Sequence, residues 1–341
     1  MKRRYAMSLV AMAVALAFGQ PASAQEKIKL MVAASFPATH YVPGFIKKWM
    51  EDVTAESGGM VEFEYFGAQQ LGKAKDMLTL DQAGVADVAY VAPSYVSEKM
   101  FLSSVAELPG NFDSSCVGTR AYWKLATGDG IIAQREMLPN GVRLVMTGLG
   151  APYQILSTKE FAGLDGIGGQ KLRSYGGHQD TALKELGAVP VRMAAPEMYE
   201  AVTRGTLDGV VLPYASVLSY RLQDKVKYMT DKQNFGTVAL NYVINEKKWQ
   251  SLPQKVRDAM NKVGPKVVEY ACSYMDRDSD EARDKLKAAG VAVVQFSPED
   301  KKRINEKLRA IAPKWAEDLD KRGQPGTETL NAFRKALETT N

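Results

Sequence analysis

Apolar and polar positions alternate through Ile28, Leu30, Val32 and Ala34, the two-residue period of a strand. The spacing then turns helical over 42–57, with Phe45, Trp49 and Val53 on one face and Gly58-Gly59 as a stop. Alternation returns over 60–66 through Val61, Phe63 and Tyr65, and a helix is predicted over 71–83, ending at Gly84. A short apolar strand over 88–92 runs into Pro93-Ser94-Tyr95. The pattern restarts further on, with strands predicted over 142–148, 153–157, 166–173, 189–193 and 207–212 and helices over 180–186 and 196–203. Two more strands are expected at 226–229 and 239–244. Strands that alternate with helices form βαβ units, so the fold class is α/β with mainly parallel sheet. Beyond Pro253 the chain reads as helix, with a long amphipathic run over 256–287 perturbed by Gly264-Pro265, then helices over 298–319 and 328–337.

The first residues change the picture by assigning a compartment. Lys2, Arg3 and Arg4 precede a short apolar run over 7–18, and Ala22-Ser23-Ala24 offers small residues for cleavage. That is the pattern of a secretory signal peptide over 1–24, too short in its apolar core to span a bilayer comfortably. An uncleaved anchor is the alternative. No cysteine follows the run to carry a lipid, so an exported, periplasmic chain starting at Gln25 is expected.

The formal charge of +5 includes three of those N-terminal cations, and the +2 left without them favours neither nucleic acid nor an acidic partner. Cys116 and Cys272 are the only two cysteines. An exported chain meets an oxidising environment, which makes them a disulfide candidate joining an early helix to a late one; two buried thiols are the alternative.

Little supports an enzyme. His40 and His178 are the only histidines, and neither sits in a Gly-x-Ser-x-Gly, Cys-His or His-Glu-x-x-His context. No His, Cys or carboxylate cluster has metal-ligand spacing, and no glycine run matches a dinucleotide loop. No catalytic residue, metal or cofactor is expected. Binding is better supported, because open α/β sheets take ligands at the carboxyl ends of strands. Residues 35–40, 93–95, 150–153 and 173–175 and the pair Pro213-Tyr214 place polar or aromatic groups just past predicted strand ends.

An ordered series of segments carries a resemblance. Phe161-Ala162-Gly163-Leu164-Asp165 through Gly169-Gln170-Lys171-Leu172-Arg173, then Leu186-Gly187-Ala188-Val189-Pro190-Val191, then Glu197, Tyr199, Gly205 and Leu207-Asp208-Gly209 follow one another as in the DctP-type substrate-binding proteins of TRAP transporters. Gly67-Ala68-Gln69-Gln70-Leu71-Gly72 upstream, and Val226 to Thr230 and Ile244 to Trp249 downstream, also resemble that family's segments. The resemblance covers nearly the whole chain beyond residue 24. It implies a two-lobed periplasmic binding protein fold of type II-like form, with a hinge and a long helix spanning both lobes. It implies chain crossings near Gly148 and Thr237, a first lobe of 25–148 plus 238–277, and a second of 149–237 plus 278–341. The implied partners are a small carboxylate ligand and the small and large membrane subunits of a TRAP permease; a monomer is expected.

By the same resemblance, Arg173 holds the ligand carboxylate, a role that suits a guanidinium fork able to make two charge-assisted hydrogen bonds. Two departures from other members bear on the ligand. Leu212 replaces a polar residue before Pro213, and Gly150-Ala151-Pro152-Tyr153 carries no basic group. The Trp and Glu of metal-using keto-acid members are absent. Phe36, Tyr95, Tyr153, Tyr175, Pro213, Tyr214 and Phe235 are the expected lining. Together they favour a monocarboxylate with an apolar or aromatic body, although a small hydroxy or keto acid stays open. A ligand-sensing subunit of a signalling system and a periplasmic enzyme on the same fold are the competing readings.

Overall fold

The computed structural model describes residues 27–340, so the expected signal segment over 1–24 lies outside the described residues. The first strands and helices are β1 (Ile28–Ala33), α1 (Val42–Glu56), β2 (Val61–Phe66), α2 (Met77–Gln82), β3 (Val88–Val91), α3 (Ser115–Ala126) and β4 (Val142–Met146). A second series follows: β5 (Gln154–Ser157), β6 (Lys171–Ser174), α4 (His178–Glu185), β7 (Val189–Arg192), α5 (Met198–Thr203), β8 (Gly209–Leu212), α6 (Tyr214–Ser219) and β9 (Tyr228–Thr230). The chain ends with β10 (Asn241–Asn245), α7 (Glu246–Ser251), α8 (Gln254–Ala288), β11 (Ala292–Val294), α9 (Pro298–Arg309), α10 (Ile311–Asp320) and α11 (Gly326–Glu338).

These strands form two sheets, ordered β2-β1-β3-β10-β4 and β11-β9-β5-β8-β6-β7. The two lobes are built around them. In the first sheet β10 runs antiparallel to both its neighbours, and in the second β5 does. The mainly parallel sheet therefore carries one reversed strand in each lobe. Each reversed strand is the first to enter its sheet after the chain has crossed from the other lobe, without the helical crossover that would keep it parallel.

Both faces of the first sheet are covered, which explains why β3 reads as a continuous apolar run. Val88 and Tyr90 face the layer containing Ile46, Trp49 and Val256, whereas Ala89 and Val91 face the opposite layer with Leu78 and Tyr122. Helix α8 is continuous through Pro265 rather than broken there. Val256, Val263, Val267, Ala271 and Met275 recur on its buried face, and that packing outweighs the hydrogen bond lost at proline. Gly264 lets this helix come close to β4: a Cβ there would lie 2.9 Å from the Val145 carbonyl oxygen and 3.1 Å from the Trp123 ring. Helix α8 packs on α1 and β4 of the first lobe and on α6 of the second. In the segment 278–341, expected with the second lobe, α9 and α10 pack on α4 of that lobe, and α11 packs both on α10 and on α3 of the first lobe. The helix expected over 298–319 is split at Ala310.

The two crossings lie side by side. Leu149 bridges Ala239, Gly150 N–H donates to the Val238 carbonyl, Leu240 N–H to the Gly148 carbonyl, and Tyr153 N–H to the Gly236 carbonyl. Cys116 of α3 and Cys272 of α8 are bonded, their Cα atoms 4.7 Å apart.

Candidate functional site

A cleft between the lobes is walled by residues that follow the carboxyl ends of β1, β3, β6 and β8. Arg173 lies at its base, on a strand paired on both sides, and is 2% exposed. Its Nε donates to the Met193 carbonyl (3.1 Å) and its Nη2 to the Tyr95 hydroxyl (3.2 Å). A guanidinium carries five N–H donors, so three have no partner among the described residues. No carboxylate among the described residues forms an ion pair with it, unlike Arg120 with Glu269 or Arg143 with Glu246. A buried charge in that condition is costly unless something completes it.

Tyr95 comes from the first lobe and reaches the second. Its hydroxyl accepts both from Arg173 and from the Ala195 N–H (3.1 Å), which leaves its own proton free to donate. Tyr175 OH donates across the cleft to the Glu107 carbonyl (3.4 Å). Burial raises the phenols of Tyr90, Tyr153 and Tyr220 above their ordinary range, so they stay neutral donors. Burial also pushes the nearby Glu107 carboxyl up to about 8, so at neutral pH it is mostly uncharged and does not neutralise Arg173.

The opposite wall is aromatic. Phe36 lies 4.6 Å from the His40 ring and 4.6 Å from Tyr90, while His40 lies 5.1 Å from Tyr220. Leu212, Pro213, Val238 and Leu240 complete an apolar lining. Aromatic groups in such tilted contact present both flat faces and edges to a planar guest.

His40 Nε2 lies 3.3 Å from Ser216 Oγ, which places a histidine and a serine together in a pocket. The arrangement is wrong for a nucleophile and its base. Nδ1 accepts the Val42 N–H (3.3 Å), so the neutral ring carries its proton on Nε2 and donates to serine instead of accepting from it. Burial holds the imidazole far below its usual value, at about 3. The pair therefore serves as a bridge between lobes, together with Thr39 Oγ1 donating to the Ser219 carbonyl (3.2 Å).

Of the expected lining, Phe36, Tyr95, Tyr153, Arg173, Tyr175 and Pro213 come together in this cleft. Tyr214 and Phe235 do not. Tyr214 opens α6 and turns inward, its hydroxyl donating to the Thr230 carbonyl (2.7 Å). Phe235 is fully buried behind Tyr153, whose carbonyl accepts its N–H (3.2 Å). Sequence reasoning missed Tyr90, Ser216 and Tyr220 as lining, and gave His40 only as part of the loop 35–40. His40 had a signal, because it ends the loop after β1; Ser216 and Tyr220 had none without α6. One group of potential metal ligands occurs among the described residues, Cys116, Glu269 and Cys272, but two of its members are bonded to each other and Glu269 holds Arg120.

Comparison with known proteins places this cleft in context. The model of the bacterial extracellular solute-binding protein family 7 matches residues 32–318. The C4-dicarboxylate-binding periplasmic protein DctP of Rhodobacter capsulatus is 26% identical over 346 residues, covering 98% of each chain. A TRAP periplasmic solute-binding protein from Bordetella bronchiseptica, solved with bound (R)- and (S)-mandelate, is 22% identical with a TM-score of 0.83, over 92% of this chain and 100% of that one. One from Rhodoferax ferrireducens T118, solved with copurified benzoate, is also 22% identical with a TM-score of 0.83, over 92% of this chain and 98% of that one.

Proposed function

The chain belongs to the bacterial extracellular solute-binding protein family 7, and from that premise we propose that it captures an organic monocarboxylate with a flat apolar or aromatic body. It delivers this ligand to the small and large membrane subunits of a TRAP permease. The single observation that carries the ligand class is Arg173, a buried guanidinium with three free N–H donors and no paired carboxylate among the described residues. A ligand carboxylate supplies the missing charge and accepts those donors as a fork. One cation lines the inner cleft, which suits one carboxylate; the rings of Phe36, His40, Tyr90 and Tyr220 suit the rest of the ligand. The benzoate and mandelate of the two structural relatives have that form. Residues 1–24 are cleaved on export and the mature chain works in the periplasm. The lobes close on the ligand about the paired crossings at 148–153 and 235–240.

A thermal-shift screen of the mature protein tests this, because a ligand that binds only the native state raises its melting temperature by mass action. Benzoate and mandelate are expected to raise it, and benzamide is not. A shift by amines or neutral sugars with none by any carboxylate overturns the ligand class.

A further inference from the structure

Tyr95 and Tyr175 also wall a second cavity, of about 360 Å³. The two tyrosines wall both spaces, so this cavity adjoins the pocket that holds Arg173. Its own lining is charged where the inner pocket is aromatic. Lys73 and Lys75 come from the first lobe, following β2, and Arg192 comes from the end of β7 in the second. None of the three has an ion-pair partner among the described residues, which form eighteen ion pairs elsewhere. Glu197 is the one acid in the lining.

The backbone is shaped to admit one of these cations. Gly176 follows the strand that bears Arg173 and has φ +98°, and a Cβ there would fall on the Arg192 guanidinium. Arg192 is thereby held over the loop that leads from β6 into α4. The carbonyl of Met193, next in sequence, accepts from Arg173 Nε, so outer and inner cations are joined through adjacent residues.

The geometry points to this outer cavity as a cationic vestibule that captures organic anions and passes them inward to Arg173. The inference rests on the carboxylate reading of the inner pocket and adds a kinetic role for Lys73, Lys75 and Arg192. Charges that line a cleft with low-dielectric walls raise the local concentration of a counter-ion and its association rate, in a salt-dependent way. Because these groups touch the approach and not the bound ligand, they act on association rather than residence.

Stopped-flow fluorescence of the tyrosines that wall the pocket tests the idea with benzoate, or with mandelate if benzoate gives no melting shift. In the triple variant Lys73→Gln, Lys75→Gln, Arg192→Gln, the association rate constant is expected to fall about tenfold at low ionic strength and to meet the wild-type value at high salt. The dissociation rate constant stays within about twofold, and Glu197→Gln shifts association the opposite way. An unchanged association rate with unchanged salt dependence overturns the vestibule while leaving Arg173 its role. A faster dissociation with normal association overturns it too, by assigning the three cations to the bound state. Failure of every carboxylate to bind the wild-type protein defeats the inner reading, and this one with it.

Discussion

Arg143 on β4 and Arg173 on β6 are each held at two points, but by different partners. Arg143 Nε and Nη2 donate to the two oxygens of Glu246 at 3.0 and 2.9 Å, and its guanidinium lies 5.2 Å from the Trp249 ring. Arg173 is far more buried, yet it is held only by a carbonyl and a phenol. The first arginine is complete within the protein. The second is oriented by groups that leave its charge unanswered. The Arg143–Glu246 fork, lying against an aromatic ring, is an internal example of what an aromatic acid would supply at Arg173. Structural arginines close their own accounts, so a buried one that does not is a marker of recognition.

The sharpest break between the two sites comes from replacing each arginine by methionine. Arg173→Met is expected to weaken benzoate binding by at least ~100-fold by calorimetry, because a charge-assisted fork is lost. Its unliganded stability in urea should equal or exceed wild type, since a buried uncompensated charge goes with it. Arg143→Met should leave affinity within about twofold and cost about 1–2 kcal/mol of stability, the range for a partly buried bidentate pair. If both variants destabilise the unliganded protein equally and neither loses affinity, the contrast collapses.

Removing one atom probes the same site more finely. Tyr95→Phe deletes the acceptor shared by Arg173 and the Ala195 N–H, and with it two hydrogen bonds between lobes. About a tenfold loss of affinity is expected, on the scale of one hydrogen bond to a charged group. Unchanged affinity in calorimetry would mean that other contacts orient Arg173.

The smallest effect concerns Glu107, whose carboxyl accepts the Ala239 N–H (3.1 Å) at the crossing while its carbonyl accepts from Tyr175. Burial raises it to about 8 from an ordinary 4.5, so the folded state holds this proton more tightly than the unfolded chain. Its contribution to stability is full below about 4.5 and is lost as pH rises toward about 8. Glu107→Gln should flatten the decline in urea stability across that window. A wild-type and variant difference that does not change with pH would remove Glu107 as a buried acid.

Much of this molecule was written along the chain. The first residues argued for export, the period of two and its alternation with helical spacing gave the α/β class, and the resemblance carried by the ordered segments implied two lobes and singled out Arg173. Those features are local, because they depend on near neighbours and on residue type. The structure added what depends on distant residues meeting. The reversed strands β5 and β10 follow from the chain crossing between lobes, which no window of sequence contains. Tyr214 and Phe235 are aromatic residues at plausible positions, yet their side chains are taken by the core of the second lobe. His40 and Tyr220 meet across 180 residues to form one wall. Sequence alone determined that this protein has an arginine of the right kind on a strand of the right kind. Only the tertiary structure decided that no carboxylate among the described residues pairs with it, because ion pairing is set by where side chains end in space.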